Sequence, residues 1–187
     1  MNVLILMGSP RLNGNTAELC KPLMAQLKEK GAQVRYVTLA NRDIKPCLGC
    51  HACQDVGGEY GCCRNDEMPV EDILWADCIV LATPIYAWYC AAPMKNVLDR
   101  HYGFNKFYGS AEGSLWAGKR VAILATHGYN GAYATDPFEM GIQRLCAHSG
   151  LTYVGLYSVQ DEDNLASFRT GEAVAGAKAF ADKILEP

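Results

Sequence analysis

The chain has 187 residues, of which 50 % are hydrophobic and 20 % are charged, and its formal net charge at pH 7 is −3. This composition is typical of a globular domain and excludes a disordered chain, and the small negative charge argues against a nucleic-acid-binding surface. The length predicts a single domain, 1–187, with a core large enough to fold without disulfides.

Five apolar segments alternate with segments whose leucine and other apolar residues recur at helical spacing. In chain order we predict strand 2–7, helix 15–31, strand 33–39, helix 70–76, strand 77–83, helix 91–102, strand 120–126, helix 136–150, strand 152–158 and helix 171–186. Three of the strands are almost continuously apolar, which is typical of strands covered on both faces of a parallel sheet. The alternation therefore predicts an α/β fold, a doubly wound parallel sheet with helices on both faces.

The first strand begins at residue 2, and neither a basic leader nor a small-residue cleavage site accompanies it. We therefore expect no secretory signal, and because no apolar run approaches the ~20 residues of a membrane span, no membrane contact. These features predict a cytoplasmic protein, in which thiols stay reduced.

Two connections are longer than usual, a Cys-rich loop at about 44–67 and the segment 103–118, and long loops in a domain are usually functional. The second carries aromatic side chains that we expect to offer apolar surface to a partner, together with the stretch "WYCAAP" at 88–93. They are Phe104, Phe107, Tyr108 and Trp116. We therefore expect a homodimer or homotetramer.

The turn after the first strand, "MGSPRLNGNTAEL", has the composition of an anion site. Gly8 and Gly14 permit close backbone approach, Arg11 adds a positive charge, and the first turn of a helix presents free amides. Short hydrogen-bonding side chains complete it: Ser9, Asn13, Asn15 and Thr16. The pattern predicts a phosphate site; the alternative is a simple helix N-cap at Asn15 or Thr16.

The next predicted turn at the same sheet edge follows Thr83 and reads "PIYAWY". Ligands of doubly wound sheets bind outside the carboxyl ends of the strands, so this turn should flank the same ligand. The amides of Ile85, Tyr86 and Ala87 can face the polar edge of a ring, and the aromatic side chains can supply flat walls. Alternatively, these aromatic residues pack on their own domain or on a second subunit.

The fourth predicted strand runs into "THGYNG" at 126–131, where glycines again permit close backbone approach. His127 is a candidate acid or base. A lone histidine in a loop is more often a hydrogen-bonding residue, and we favour that interpretation.

Five of the nine cysteines lie in the Cys-rich loop. The Cys47-x2-Cys50-x2-Cys53 triplet followed by Cys62 and Cys63 allows four thiolates to surround an iron–sulfur cluster. Zinc with help from His51, disulfides, and thiols that simply line a loop are the alternatives. The scattered cysteines are expected to be ordinary buried thiols: Cys20, Cys78, Cys90 and Cys146.

The stretches "GSPRLNGNT" and "TPIYAWYCAAPMKNVLDR" resemble the flavodoxin-like NAD(P)H-dependent FMN reductase superfamily. The resemblance implies a flavodoxin-like five-stranded sheet in the order 2-1-3-4-5. It also implies that the FMN phosphate lies on Ser9, Arg11, Asn13, Asn15 and Thr16. The flavin ring would lie between two further groups of residues: Pro84, Ile85, Tyr86, Ala87 and Trp88 on one side, and Thr126, His127, Gly128 and Tyr129 on the other.

The function implied is hydride transfer from NAD(P)H through FMN to a small acceptor such as a flavin or quinone, with no catalytic side chain because FMN carries the chemistry. The stretch "CLGCHACQDVGGEYGCCRNDEM" further resembles the iron–sulfur flavoprotein branch. That resemblance implies a [4Fe-4S] cluster on Cys47, Cys50, Cys53 and Cys62, and electron transfer with a ferredoxin-like partner as the alternative function. A flavin-dependent redox sensor without catalytic activity is a third interpretation.

Overall fold

A computed structural model of the chain describes residues 1–55, 58–106, 113–162 and 164–186. The helices are α1 (Asn15–Glu29), α2 (Val70–Trp75), α3 (Ala92–Leu98), α4 (Gly131–Ser149) and α5 (Gly171–Leu185). The strands are β1 (Asn2–Met7), β2 (Gln33–Thr38), β3 (Cys78–Tyr86), β4 (Tyr89–Cys90), β5 (Asn105–Lys106), β6 (Gly113–Ser114), β7 (Arg120–His127) and β8 (Thr152–Gln160).

The central sheet has the strand order β2-β1-β3-β7-β8, and all four neighbouring pairs are parallel. Successive residues of β1 alternate between two apolar cores: Val3 packs with α1 and α5, whereas Leu4 packs with α2, α3 and α4. The structure thus confirms a flavodoxin-like doubly wound sheet with helices on both faces and the predicted order 2-1-3-4-5.

The register of the central strands aligns their carboxyl ends. Met7 at the end of β1 pairs with Ala82 of β3, and Ala82 pairs with Leu124 of β7. Two residues further on, Pro84 pairs with Thr126. The segments that leave these three strands therefore start side by side at one edge of the sheet.

Several predicted boundaries are wrong: the helix predicted over 91–102 ends at Leu98, and two further boundaries lie at the carboxyl edge of the sheet. β3 continues to Tyr86 instead of ending at Thr83, because the chain folds back there and β4 pairs with it antiparallel. Helix α4 begins at Gly131, not at 136, and contains Pro137. A proline this close to a helix start removes one backbone hydrogen bond, which the remaining length of the helix tolerates.

The expectation that Phe104 and Trp116 offer surface to a partner is also wrong. Both are buried, and their rings stack at a centroid distance of 4.9 Å. The Trp116 indole donates a hydrogen bond of 2.8 Å to Asn105 Oδ1, which gives its polar edge a partner inside the fold. Phe107 and Tyr108 lie outside the described residues.

No helix in the described part of the chain combines the length and the apolar character that crossing a bilayer would require.

A buried ion pair fastens the Cys-rich loop to the domain. Arg100, just after α3, and Asp66, near the end of the loop, are each 1 % exposed in their side chains. Arg100 binds both carboxylate oxygens of Asp66 and also donates to the Lys45 carbonyl oxygen at 3.1 Å. Burial alone raises the pKa of Asp66, but hydrogen bonds from Arg100 and from the Lys45 amide outweigh this and hold the pKa below its usual value.

We predict that Asp66→Asn destabilises the protein by about 3–5 kcal/mol, because it leaves the Arg100 guanidinium buried without a counter-charge. Urea unfolding at neutral pH measures the loss. Asp99→Asn is the matched control: Asp99 pairs with Lys95, both side chains are 44 % exposed, and the expected loss is below about 1 kcal/mol. Equal losses in the two variants would contradict the assignment of Arg100–Asp66 as the clamp.

The same pair predicts a pH dependence. Because the folded-state pKa of Asp66 is depressed, its contribution is complete above the ordinary carboxyl pKa of about 4 and disappears as the pH falls through the lower folded-state value. The stability difference between the unmodified chain and Asp66→Asn should therefore shrink on acidification.

Candidate active site

A cleft of about 390 Å³ lies at the carboxyl edge of the sheet, where the loop after β1, the end of β3 and the segment after β7 meet. Its lining residues are Ser9, Arg11, Gly14, Asn15, Thr16, Pro84, Ile85, Tyr86, Thr126, His127, Gly128 and Asp161. All but Gly14 and Asp161 belong to the site predicted from the sequence. The three predicted segments therefore share one cavity.

The loop after β1 is preorganised by its own hydrogen bonds. Ser9 is buried, and its Oγ accepts a hydrogen bond of 3.1 Å from the Arg11 amide, which fixes the turn. Gly8 passes so close to α3 that a Cβ there would lie 2.7 Å from the Met94 Cβ. No side chain larger than hydrogen fits at this position without displacing α3.

Helix α1 starts in the wall of the cleft. Its N-cap position is Gly14, so the alternative of a cap at Asn15 or Thr16 is wrong, and no side chain caps the helix. The first-turn N–H groups of a helix lack acceptors within it and carry the positive end of its dipole. Gly14 and Asn15 line the cleft at this point, which makes it suited to an anion.

A hydrogen bond between two buried hydroxyl groups connects the start of α1 with the end of β7. Thr16 Oγ1 lies 2.8 Å from Thr126 Oγ1, although the two residues are 110 positions apart in sequence. Both residues line the cleft and are almost fully buried. This hydrogen bond fixes the distance between the start of α1 and the end of β7.

The turn predicted after Thr83 takes the form of a tight hairpin at 87–88. Ala87 and Trp88 both have positive φ, 48° and 61°, as a two-residue hairpin requires, and neither lines the cleft. The Thr83 hydroxyl supports the hairpin by accepting from the Ala91 amide at 3.1 Å. Holding non-glycine residues in this conformation costs about 1 kcal/mol or more each, so the hairpin conformation is imposed by its surroundings.

An exposed aromatic group lies beside the cleft. Trp88 and Tyr129 stack with centroids 5.6 Å apart and planes only 2° from parallel, and Tyr133 stands perpendicular to both rings. Trp88 and Tyr129 were predicted to contact the ligand directly, but neither is among the residues that line the cleft. Tyr133 was not among the predicted site residues, because the helix that contains it was predicted to begin at 136 and not at Gly131.

His127 is held by hydrogen bonds at both ring nitrogens. Nδ1 lies 2.6 Å from the Tyr129 carbonyl oxygen and Nε2 lies 3.2 Å from Ser158 Oγ. A carbonyl only accepts, so Nδ1 carries the hydrogen, and in the neutral ring Nε2 accepts from the serine hydroxyl. This geometry fits the interpretation of His127 as a hydrogen-bonding residue.

Asp161 is a lining residue that sequence reasoning missed. Its amide donates a hydrogen bond of 2.7 Å to the His127 carbonyl oxygen, which fastens the end of β8 to the end of β7. Asp161 and Arg11 also line an adjoining open cleft, about 450 Å³ in volume, where Asn13 lies. Its position in the sequence could have identified it, because Asp161 directly follows the fifth strand of the central sheet, at the same edge as the other lining residues. It was missed because that strand was predicted to end at 158.

All five cysteines of the Cys-rich loop line a second cavity of about 130 Å³, together with His51, Arg64 and Tyr102 among others. Cys50 Sγ and Cys63 Sγ are 3.5 Å apart. A hydrogen bond with the Ala52 backbone and, second in size, one with the Cys63 side chain lower the pKa of Cys50. The hydrogen bond with Cys50 raises the pKa of Cys63. Within the described ranges, no group of three or more His, Cys, Asp or Glu side chains is arranged to hold a metal ion.

The remaining cysteines are buried, as predicted. Burial raises the pKa of Cys78 and of Cys90 to about 12 and that of Cys146 to about 11. Thiols with such values are not reactive at neutral pH.

Comparisons with known proteins agree with this architecture. An iron–sulfur flavoprotein of Methanocaldococcus jannaschii is 36 % identical over 102 residues, which cover 54 % of this chain and 50 % of that protein. An NADPH:quinone oxidoreductase of Arabidopsis thaliana is 31 % identical over 130 residues, covering 68 % of this chain and 59 % of that protein. The first of these matches thus spans only about half the length of the relative.

A solved structure of an FMN-dependent NADH-azoreductase from Bacillus anthracis in complex with FMN superposes with a TM-score of 0.69, over the full length of both chains, at 14 % identity. This likeness concerns the fold. Residues 1–137 match the family described as NADPH-dependent FMN reductase. The match includes the loop after β1, the hairpin at the end of β3 and the segment after β7. The chain therefore belongs to the NADPH-dependent FMN reductase family.

Proposed function

We propose that the chain is an FMN-dependent oxidoreductase that takes a hydride from NADH or NADPH and passes the electrons to a small acceptor such as a free flavin or a quinone. The observation that carries this proposal is the cleft, where an uncapped helix start and three strand ends meet, in a chain of this family. FMN, when bound, supplies the hydride chemistry itself. The protein's residues are needed to bind, orient and shield it.

The residues present fit the phosphate end of FMN. The free amides at the start of α1, the Asn15 side chain and the Arg11 guanidinium can all donate to phosphate oxygens, and no lysine is needed. Asp161 lines the same cleft and, with Arg11 and Asn15, also the adjoining one, but its carboxylate suits a different part of the ligand. A carboxylate repels phosphate but accepts hydrogen bonds from hydroxyl groups, so we assign it to the ribityl chain.

The isoalloxazine ring then lies between the end of β3, at Pro84–Tyr86, and the segment 126–128 after β7. The cleft volume of about 390 Å³ falls in the range of small-molecule sites. The stacked pair of Trp88 and Tyr129 beside the cleft offers a flat apolar surface against which a planar acceptor can pack.

Arg11→Ala and Asn15→Ala are each predicted to weaken FMN binding, by about 10- to 100-fold for the arginine, because a charge-assisted hydrogen bond is worth about 1.5–3 kcal/mol. Quenching of flavin fluorescence on titration measures the Kd. Arg144→Ala is the control, since Arg144 is exposed on α4 and lines neither cleft. Unchanged affinity in both test variants would refute the phosphate site.

Anaerobic mixing of the FMN-loaded protein with NADPH or NADH should bleach the visible flavin band, and adding a quinone should restore it. Steady-state kinetics with both substrates varied should give the parallel lines of a ping-pong mechanism, because donor and acceptor use the same cleft in turn. A flavin band that neither nucleotide bleaches would overturn the reductase proposal.

A second candidate function, an electron-transferring iron–sulfur flavoprotein, is favoured by one observation. Five cysteines from the two arms of the Cys-rich loop line one cavity, and thiolates are the donors that a [4Fe-4S] cluster requires. Cys47, Cys50, Cys53 and Cys62 would hold the cluster once their side chains turn toward one centre, since no three of them are grouped for a metal ion in the described structure. The cluster would exchange single electrons with a ferredoxin-like partner. The similar relatives that carry this name support the candidate.

Iron and acid-labile sulfide assays on protein purified without oxygen test it. One [4Fe-4S] cluster corresponds to about four irons and four sulfides per chain. Cys47→Ser should lower both, whereas Cys146→Ala, at a buried thiol of α4, should leave them unchanged. Protein free of iron and sulfide would leave the nicotinamide-dependent reductase as the function.

A further inference from the structure

We propose that Cys50 and Cys63 of the iron-free chain form a reversible disulfide, which makes the Cys-rich loop a thiol redox site in its own right. Their sulfur atoms are 3.5 Å apart and both side chains are exposed. A disulfide bond is about 2 Å long, so the two sulfur atoms need to approach each other by about 1.5 Å for the bond to form. The cavity that contains them shares no lining residue with the candidate flavin cleft.

Contacts between the two arms of the loop bring these cysteines together. Asp43 and Glu67 exchange two hydrogen bonds, from the Asp43 amide to the Glu67 carboxylate at 2.7 Å and from the Glu67 amide to the Asp43 carbonyl at 3.1 Å. The Lys45 amide then donates to the Asp66 carboxylate at 3.0 Å.

Further along the same arms, Arg64 Nε donates to the Pro46 carbonyl oxygen at 3.3 Å. The sulfur pair is thus the outermost of a series of cross-loop contacts whose base is the buried clamp of Arg100 and Asp66. Positive φ at Gly49 and His51, 65° and 60°, bends the chain on both sides of Cys50. The proximity of the thiols is therefore built into the fold of the loop.

The neighbouring cysteines are placed for other contacts. Cys62 and Cys63 are adjacent in sequence, with Cα atoms about 3.8 Å apart, closer than the roughly 4.4 Å that a disulfide normally needs. Cys62 is half-buried, unlike Cys50 and Cys63, which are exposed. Cys47 Sγ accepts from the Gly49 amide at 3.4 Å, and Cys53 Sγ accepts from the Gln54 side chain at 3.6 Å.

The oxidant is a low-molecular-weight disulfide of the glutathione type. One protein thiolate attacks a sulfur of that disulfide and expels one small thiolate, which leaves a mixed disulfide. The second protein thiolate attacks the protein sulfur of the mixed disulfide and expels the other small thiolate. The protein thus loses two electrons and two protons, and the small disulfide becomes two thiols.

Closure of this pair removes two of the five thiols from the cavity and leaves Cys47, Cys53 and Cys62. Three thiols are fewer than the four that a [4Fe-4S] cluster requires. The disulfide would therefore decide whether the cavity can accept such a group; this consequence rests on the second candidate function, whereas disulfide formation itself does not.

The test uses the full chain, stripped of iron by a chelator and equilibrated in glutathione buffers from reducing to oxidising. Free thiols are then blocked with N-ethylmaleimide, and a non-reducing digest is analysed by mass spectrometry. We expect a cross-linked peptide pair containing Cys50 and Cys63, abolished by dithiothreitol. Labelling of these two should fall about tenfold or more in the oxidising buffer, with less than about a twofold change at Cys47 and Cys53.

Two variants sharpen the test. Cys63→Ser should abolish the cross-link to Cys50, whereas Cys62→Ser, at the adjacent position, should retain it. The proposal is overturned if Cys50 and Cys63 remain alkylated in the most oxidising buffer, if they end as stable mixed disulfides with glutathione, or if Cys50 pairs with another cysteine. The assay follows thiols alone and requires no reaction of flavin or nicotinamide, so its failure is distinguishable from failure of the reductase proposal.

Discussion

The parallel register of β1, β3 and β7 is the constraint on which the site depends. It places Met7, Ala82 and Leu124 side by side. The segments that follow these strands therefore meet at the carboxyl edge of the sheet. The hydrogen bond between Thr16 and Thr126 then sets the spacing of the outer two segments. A doubly wound sheet of this order therefore forms a cleft with a helix start in one wall, whatever ligand the cleft binds.

The Cys-rich loop obeys a different constraint. It does not belong to the sheet, and the buried pair of Arg100 and Asp66 holds its two ends together. Such a pair is expensive to desolvate, and its partners must therefore be satisfied by further hydrogen bonds, which Tyr60 and the Lys45 carbonyl supply. The flavin cleft and the cysteine-lined cavity thus have separate structural origins: backbone register makes the first, and side-chain electrostatics makes the second.

Sequence patterns were sufficient for the features that local physics controls. Continuous apolar runs identified the buried strands, and the composition of the loop after β1 identified most of the cleft. Sequence patterns did not predict the features that depend on contacts between residues far apart in the chain. Nothing in Ala87-Trp88 signals positive φ, because the hairpin is imposed by strand pairing. The closeness of Cys50 and Cys63 depends on Arg100, far along the chain, and the burial of Trp116 depends on a partner at Asn105.

The clamp has a consequence for how this domain can vary. Because one guanidinium fixes both ends of the Cys-rich loop, the chain between residues 46 and 59 can change in length while the closure geometry stays the same, provided that Tyr60, which accepts a hydrogen bond from Arg100, is kept. The entropic penalty of a longer loop rises only slowly, by about 0.6 kcal/mol for each doubling of its length. The inner part of the Cys-rich loop is therefore replaceable. The same sheet and cleft can carry a segment that is rich in thiols or a segment that has none.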